Sequence, residues 1–253
     1  MLLLIDIGNS NITLGISDDK EVLNTLRIDT KQPEDGASYY QKALDNLIGN
    51  YDVPVIEGSV LCSVVSEVSP LIIAAVKKRF KVNPIIIDHN ITTGLSFKIN
   101  NIHTLGADRI ANAVAACNLY SGNLIVIDFG TATTFCTITE DSEYLGGAIM
   151  PGIGISAESL NEKTYGLPLV ELKAPENIPG KDTTDNILTG IVIGHAGAAE
   201  RIINDISKET GKAFSVIATG GFAGLVAPYI KAINYVNPSL TLDGLRILYK
   251  LNI

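Results

Sequence analysis

The chain has 253 residues, 46% of them apolar and 18% charged, with a formal net charge of −8. This is the composition of a folded globular chain long enough for one large core or two modest ones, and it excludes a disordered polymer. The acidic balance argues against broad binding to nucleic acid or an anionic membrane, since each needs a basic face, but a phosphorylated ligand could still be held by a metal ion and backbone N–H groups.

In chain order, Leu2 to Ile16 reads as strand, polar turn, strand: an apolar run, then Asp6-Ile7-Gly8-Asn9-Ser10, then a second apolar run. Asp6 interrupts the first run and no basic segment precedes it, so it predicts a core strand and not a signal peptide; no apolar run is long enough to span a bilayer. Val22 to Ile28 predicts a third strand, Tyr39 to Ile48 a helix, Gly58 to Val65 a buried strand, and Pro70 to Phe80 a helix with basic residues in its last turn. Pro84 to Asp88 predicts another strand, and Gly106 to Leu119 an alanine-rich helix.

The opening phrase then recurs. Leu124 to Ile138 is again strand, turn, strand, with Asp128-Phe129-Gly130-Thr131-Ala132-Thr133 at the turn. Glu143 to Ile149 completes a strand set, a helical stretch follows from Ser156, and Leu172 to Asp185 reads as a surface loop. Ile187 to Gly211 predicts one long helix, Phe214 to Ala218 a strand, and Phe222 onward a return helix. The expected fold is α/β, with two similar halves facing each other across a cleft, the boundary falling at 118–123.

A single Asp-x-Gly turn is most simply a hairpin; two on matched strands point to phosphate and metal binding. Gly8 lets a backbone approach a ligand, while Asn9, Ser10 and Thr13 can donate to phosphate oxygens and Asp6 can hold Mg²⁺ directly or through water. Neither turn has the Gly-Lys-Ser/Thr of a Walker loop. Asp128 ends an apolar strand, so its charge needs a partner, for which a cation is suited; Thr131 and Thr133 offer hydroxyls to phosphate. Gly106-Ala107-Asp108-Arg109 heads a helix: Asp108 there suits an N-cap or a general base, and Arg109 opposes the helix dipole unless it faces an anion. Gly220-Gly221 fits either a plain turn or a close approach to a nucleotide base. His89, His103 and His195 lack metal-ligand spacing, and His195 lies in a mostly apolar helix as a packed residue. Cys62, Cys117 and Cys136, widely spaced and odd in number, read as free thiols of a reducing compartment.

Taken together, Asp6-x-Gly-Asn-Ser, Gly106-Ala-Asp-Arg109, Asp128-Phe-Gly-Thr-Ala-Thr-Thr-Phe, Gly146-Gly-Ala-Ile-x-Pro-Gly152, Ala218-Thr-Gly-Gly221 and Leu240-Thr-Leu-x-Gly-Leu-Arg246 resemble the type III pantothenate kinase family along essentially the whole chain. The resemblance implies two ribonuclease-H-like (actin/hexokinase/Hsp70-like) domains, residues 1–118 and 119–253, with mixed five-stranded sheets flanked by helices. It implies a cytoplasmic homodimer that uses ATP and Mg²⁺ to phosphorylate pantothenate, the first step towards coenzyme A, and that needs a monovalent cation, K⁺ or NH₄⁺. For the residues it implies that the loop from Asp6 through Gly8, Asn9, Ser10 and Thr13, with Thr131 and Thr133, binds ATP, Asp6 meeting Mg²⁺ through the phosphates. Asp108 would take the proton of the pantothenate hydroxyl, Asp128 would bind the monovalent cation, and Ile99, Gly106, Ala107, Asp108, Arg109 and Thr183 would line the acceptor site, Thr183 from the partner subunit. Three positions depart from the family pattern: Ile99 stands in place of a Tyr, Lys181 in place of an Arg, and Cys136 in place of an Asp. An Arg-to-Lys change loses bidentate geometry. They motivate the alternative of an ATP-binding accessory relative with lost or altered acceptor specificity. A phosphatase or ATPase on the same fold is a second alternative.

Overall fold

The computed structural model describes residues 1–30, 36–49 and 55–253. In chain order its elements are β1 (Leu2–Ile7), β2 (Asn11–Ser17), β3 (Val22–Asp29), α1 (Gly36–Ile48), β4 (Gly58–Ser63), α2 (Ser69–Phe80), β5 (Ile85–Ile86), β6 (Ser96–Phe97) and α3 (Ala107–Leu119). They continue with β7 (Leu124–Phe129), β8 (Ala132–Ile138), β9 (Glu143–Gly146), β10 (Ile149–Pro151), α4 (Ile153–Lys163), α5 (Thr183–Leu188), a π-helical turn (Thr189–Ile193), α6 (Gly194–Thr210), β11 (Ser215–Thr219), α7 (Ala223–Val226), β12 (Ile233–Val236) and α8 (Leu240–Leu251).

The chain divides into two compact units. The first comprises residues 1–95, 99–119 and 239–253, and the second residues 96–98 and 120–238. The first unit's sheet runs β3-β2-β1-β4-β5 among the described residues, with β1 antiparallel to β2 and parallel to β4. β1 is central because nearly every residue of it is apolar: Leu3, Leu4, Ile5 and Ile7 are fully buried, each worth roughly 1.5–3 kcal/mol of transfer free energy. Only Asp6 breaks the run. The second unit's sheet runs β12-β11-β7-β8-β9-β6, with β10 paired to β8, seven strands among the described residues where five were expected. β6, β10 and β12 are strands of two to four residues, too short for a periodicity to register. β1–β2 and β7–β8 share one in–out burial pattern, residue for residue, so the sequence echo is a structural one.

Three segments differ from the sequence expectation. The long helix from Ile187 is broken by the π-helical turn, and its α5 portion begins at Thr183, inside the expected loop. The return helix after Phe222 lasts only four residues before chain reversal into β12. The C-terminal segment, assigned from sequence to the 119–253 half, belongs to the first unit. α8 packs on α3 so closely that a Cβ on Gly244 would overlap the Ala111 backbone, and Thr241 Oγ1 donates to Asn112 Oδ1 at 2.8 Å. Beyond the helix, Thr92 N–H donates to Asn252 Oδ1 at 3.0 Å while Asn252 Nδ2 donates to Thr92 O at 2.9 Å. An amphipathic helix states that it covers a sheet, but not which sheet.

Candidate active site

In the first unit, Asp6 occupies the penultimate position of β1, beside Thr13 across the antiparallel pair and beside Cys62 across the parallel one. Side chains at directly paired positions share a face, so Asp6, Thr13 and Cys62 form one short row. The Cys62 thiol donates to Asp6 Oδ1 at 3.2 Å. Burial pushes that thiol well above its ordinary range, and the nearby carboxylates of Asp6 and Asp108 push it further, so it stays an S–H donor. Gly8, Asn9 and Ser10 form the three-residue turn between β1 and β2, closed by Gly8 N–H donating to Asn11 O at 3.0 Å. The turn is braced from β3's end: Thr30 Oγ1 donates to Gly8 O at 2.7 Å and Thr30 N–H to Ser10 O at 3.1 Å. Asn9 and Ser10 are exposed, as phosphate donors must be.

Asp108 is the second residue of α3, after Gly106 and Ala107. Its Oδ1 accepts the Arg109 backbone N–H at 2.8 Å. Burial raises its carboxyl above the usual carboxylate range, partly offset by that N–H and by the Arg109 guanidinium. A buried carboxylate so tuned is a competent general base. A Cβ on Gly106 would displace Asp108 Oδ1, the oxygen that accepts the Arg109 N–H. Ile99 is half-buried in the same unit, three residues before the short 3₁₀ turn Ile102–Thr104 that leads into α3.

The second unit repeats the arrangement with one residue fewer in the turn: Gly130 and Thr131 alone separate β7 from β8. Asp128 pairs with Thr134, and Phe129 with Thr133. Thr134 therefore shares the face of Asp128, as Thr13 shares that of Asp6. Thr133 lies on the opposite face, 1% exposed, and its hydroxyl has no partner among the described residues. Thr133, expected from the sequence to contact ATP, thus has its side chain among the buried residues of the second unit. Gly220, at φ +91°, backs Asp128: a Cβ would overlap Asp128 Oδ1 and the Phe129 backbone. Gly220 thus has a steric role against a carboxylate that the sequence did not disclose. Cys136 is buried in β8 and accepts from the Tyr144 hydroxyl at 3.3 Å, which explains a thiol there as core packing.

Thr183 opens α5 behind the N-cap Asp182, whose side chain accepts from Asp185 N–H at 2.8 Å. It lines a cavity of about 640 Å³ within the second unit, together with Met150, Ser156, Leu160, Asn186 and His195. Lys181 is exposed just before the cap. Sequence reasoning missed Cys62, Thr30 and Thr134. Their places follow from strand register, which leaves no local signal.

The donor set at both turns is carboxylate, hydroxyl and amide oxygen with backbone N–H, which fits nucleotide phosphates with a hard cation. Among the described residues no group of three or more His, Cys, Asp or Glu is placed to hold a metal ion, and no helix is long and apolar enough to cross a membrane.

A family model described as type III pantothenate kinase matches residues 2–205. A curated type III pantothenate kinase from Roseiflexus sp. (strain RS-1) is 41% identical over 254 residues, spanning 100% of this chain and 99% of the relative. Among solved structures, a Baf family protein from Campylobacter jejuni aligns with a TM-score of 0.60 at 20% identity, covering 98% of this chain and 97% of that one. A ROK family glucokinase from Streptomyces griseus, solved with glucose and AMPPNP, aligns with a TM-score of 0.52 at 12% identity over 97% and 98% of the two chains. The actin/hexokinase-like fold is thereby shown.

Proposed function

We propose a division of labour among the residues of this chain, which belongs to the type III pantothenate kinase family. Its reaction is the ATP-dependent phosphorylation of pantothenate to 4′-phosphopantothenate, the first step of coenzyme A biosynthesis. Asp108 accepts the proton of the pantothenate hydroxyl as that oxygen attacks the γ-phosphorus and the bond from phosphorus to the β,γ-bridging oxygen breaks, releasing ADP. The burial that raises its carboxyl beside Arg109 is the observation that carries this role. Gly106, Ala107 and Arg109 hold the acceptor, the guanidinium facing its carboxylate. Ile99 closes the same site with an apolar surface.

The turn from Asp6 to Ser10, with Thr13, and the Thr131 turn bind the phosphates of ATP. Asp6 would meet Mg²⁺ through those phosphates, and Asp128 would hold a monovalent cation, K⁺ or NH₄⁺; such ions, when bound, offset phosphate charge. The oxygen-rich donor sets and the room that Gly220 leaves at Asp128 support these assignments. Catalysis comes mostly from positioning and charge stabilisation. The chain works as a homodimer in which Thr183 of the partner subunit reaches pantothenate, and the exposure of Thr183 at the mouth of a cavity supports this. Three free thiols, two of them buried, support a cytoplasmic site of action.

The test is ADP formation with ATP and Mg²⁺, with and without pantothenate, in K⁺ and then Na⁺ buffer. Pantothenate-dependent turnover that needs K⁺ supports both Asp108 and Asp128 in these roles. Phosphate release indifferent to pantothenate would point to an ATPase, and turnover equal in both buffers would remove the cation role.

A further inference from the structure

His195 is the second residue of α6, only 7% exposed, directly after the π-helical turn. Its Nδ1 lies 3.0 Å from the Ile191 carbonyl oxygen, inside that turn. Its Nε2 lies 2.8 Å from the Pro151 carbonyl oxygen at the end of β10. Carbonyls only accept, so a ring N–H is what binds them, and each ring nitrogen lies within hydrogen-bond distance of one carbonyl. A packed aromatic would need neither contact; here one ring spans two elements. π-helical turns are rare and recur at functional sites.

What the ring holds is the back of the second nucleotide turn. Pro151 pairs with Ala132 across β10 and β8. The next residue, Gly152, donates its N–H to Thr131 O at 3.1 Å. Gly152 sits so close that a Cβ would overlap the carbonyl oxygens of both Gly130 and Thr131. Ser156 locks the same residue from the other side, its N–H and its hydroxyl each donating to Gly152 O at 2.9 Å. Pro151-Gly152 is thus a wall against which the two-residue turn rests, and His195 is the side chain that fixes the wall's Pro151 carbonyl to the π-helical turn.

We infer that His195 is a positioning residue for ATP binding, acting through Pro151 and Gly152 on the Thr131 turn. This rests on the nucleotide contact assigned to Thr131 above. Losing the ring leaves Pro151 O without its donor and frees the wall to shift, which displaces Thr131 without touching the acceptor site around Asp108. The effect falls on the KM for ATP, while kcat stays near its wild-type value.

The experiment measures kcat and both KM values for the full-length protein and its His195→Leu, His195→Gln and Thr131→Val variants. His195→Leu is expected to raise the KM for ATP by about tenfold, the scale of one lost hydrogen bond transmitted to the turn. His195→Gln keeps an N–H for Pro151 O and is expected to stay within about twofold of wild type. An unchanged KM for ATP in His195→Leu overturns the inference, as does an equal loss in the Gln and Leu variants or a loss confined to kcat. Thr131→Val separates this from the reading beneath it: if that variant alone leaves ATP binding intact, the Thr131 assignment fails, whereas a Thr131 effect with no His195→Leu effect defeats the positioning role. If His195→Leu yields no folded protein, His195→Asn, which keeps a donor but is too short to span both carbonyls, takes its place with the same outcomes.

Discussion

Cys62 stands next to Asp6 in the parallel register of β1 and β4 and donates its thiol hydrogen to the Asp6 carboxylate at 3.2 Å. The most polar residue of the central strand is thereby oriented by a fully buried sulfur, and burial, reinforced by the nearby carboxylates of Asp6 and Asp108, keeps that sulfur protonated. Thiolate is the reactive form, so this cysteine is chemically silent in the folded protein. Maleimide treatment of the native chain followed by mass spectrometry should label Cys117, the half-buried thiol, and reach Cys62 and Cys136 only after denaturation. Native labelling of Cys62 would show that β4 opens readily.

Replacing Asp108 by Asn should cut kcat by roughly 10²–10⁴-fold, the span of a lost general base, and leave ATP binding near normal. The same change should raise the thermal unfolding midpoint. Burial raises the folded carboxyl above its usual 3.8. A group with a raised folded value favours the folded state below the unfolded value, and that contribution is lost as pH climbs through the folded value. At neutral pH the carboxylate is therefore a cost that Asn removes. Equal midpoints for the two proteins at pH 7 would contradict the burial cost assigned to this carboxylate.

The pH profile carries the same signature. A base must be deprotonated to act, so kcat/KM should fall on the acid side at a pH above that of an ordinary aspartate, because burial opposes the charged form. The limb should vanish in what activity remains in Asp108→Asn. A limb at or below pH 3.8 would assign the proton transfer elsewhere.

Gly220→Ala combines two penalties: a positive φ that a side chain resists, and a Cβ in the space of Asp128 Oδ1. A loss of about 1–3 kcal/mol in unfolding free energy is expected, together with a weakened response of turnover to K⁺. Denaturant titration and activity in K⁺ and Na⁺ buffers measure the two effects. A stable variant with full K⁺ activation would separate Gly220 from the Asp128 site.

Asp185 is buried and accepts the backbone N–H groups of Glu176 at 2.8 Å and Asn177 at 3.0 Å, pinning the segment before Thr183 onto α5. Asp185→Ala removes both acceptors. Limited proteolysis between 172 and 182 should then quicken by about tenfold, since local opening no longer breaks those bonds. Unchanged cleavage would mean that the Asp182 cap alone holds the segment.

The strand-turn-strand repeat, the Asp-x-Gly turns and the Gly106 to Arg109 helix start were legible in the sequence because each is a local pattern: period-two burial broken by one carboxylate, and a charged first turn. The family followed from the same local motifs. Other features had no local signature. Thr134 rather than Thr133 faces with Asp128 because the second turn is one residue shorter, a register fact that alternation alone does not reveal. The periodicity from Ile187 to Gly211 is continuous, so the π-helical turn at Thr189–Ile193 was invisible in it.

By itself, then, the sequence determined which segments are buried strands, where polar groups interrupt them and which residues can handle phosphate and a proton. The hydrophobic period and the chemistry of a turn are properties of neighbours along the chain. Only the tertiary structure decided that α8 returns to the first unit, that Cys62 serves Asp6, that Gly220 abuts Asp128 and that His195 grips Pro151. Each of these joins residues 44 or more positions apart through strand register or helix packing, and the free energy of such a contact depends on which surfaces meet once the chain has closed.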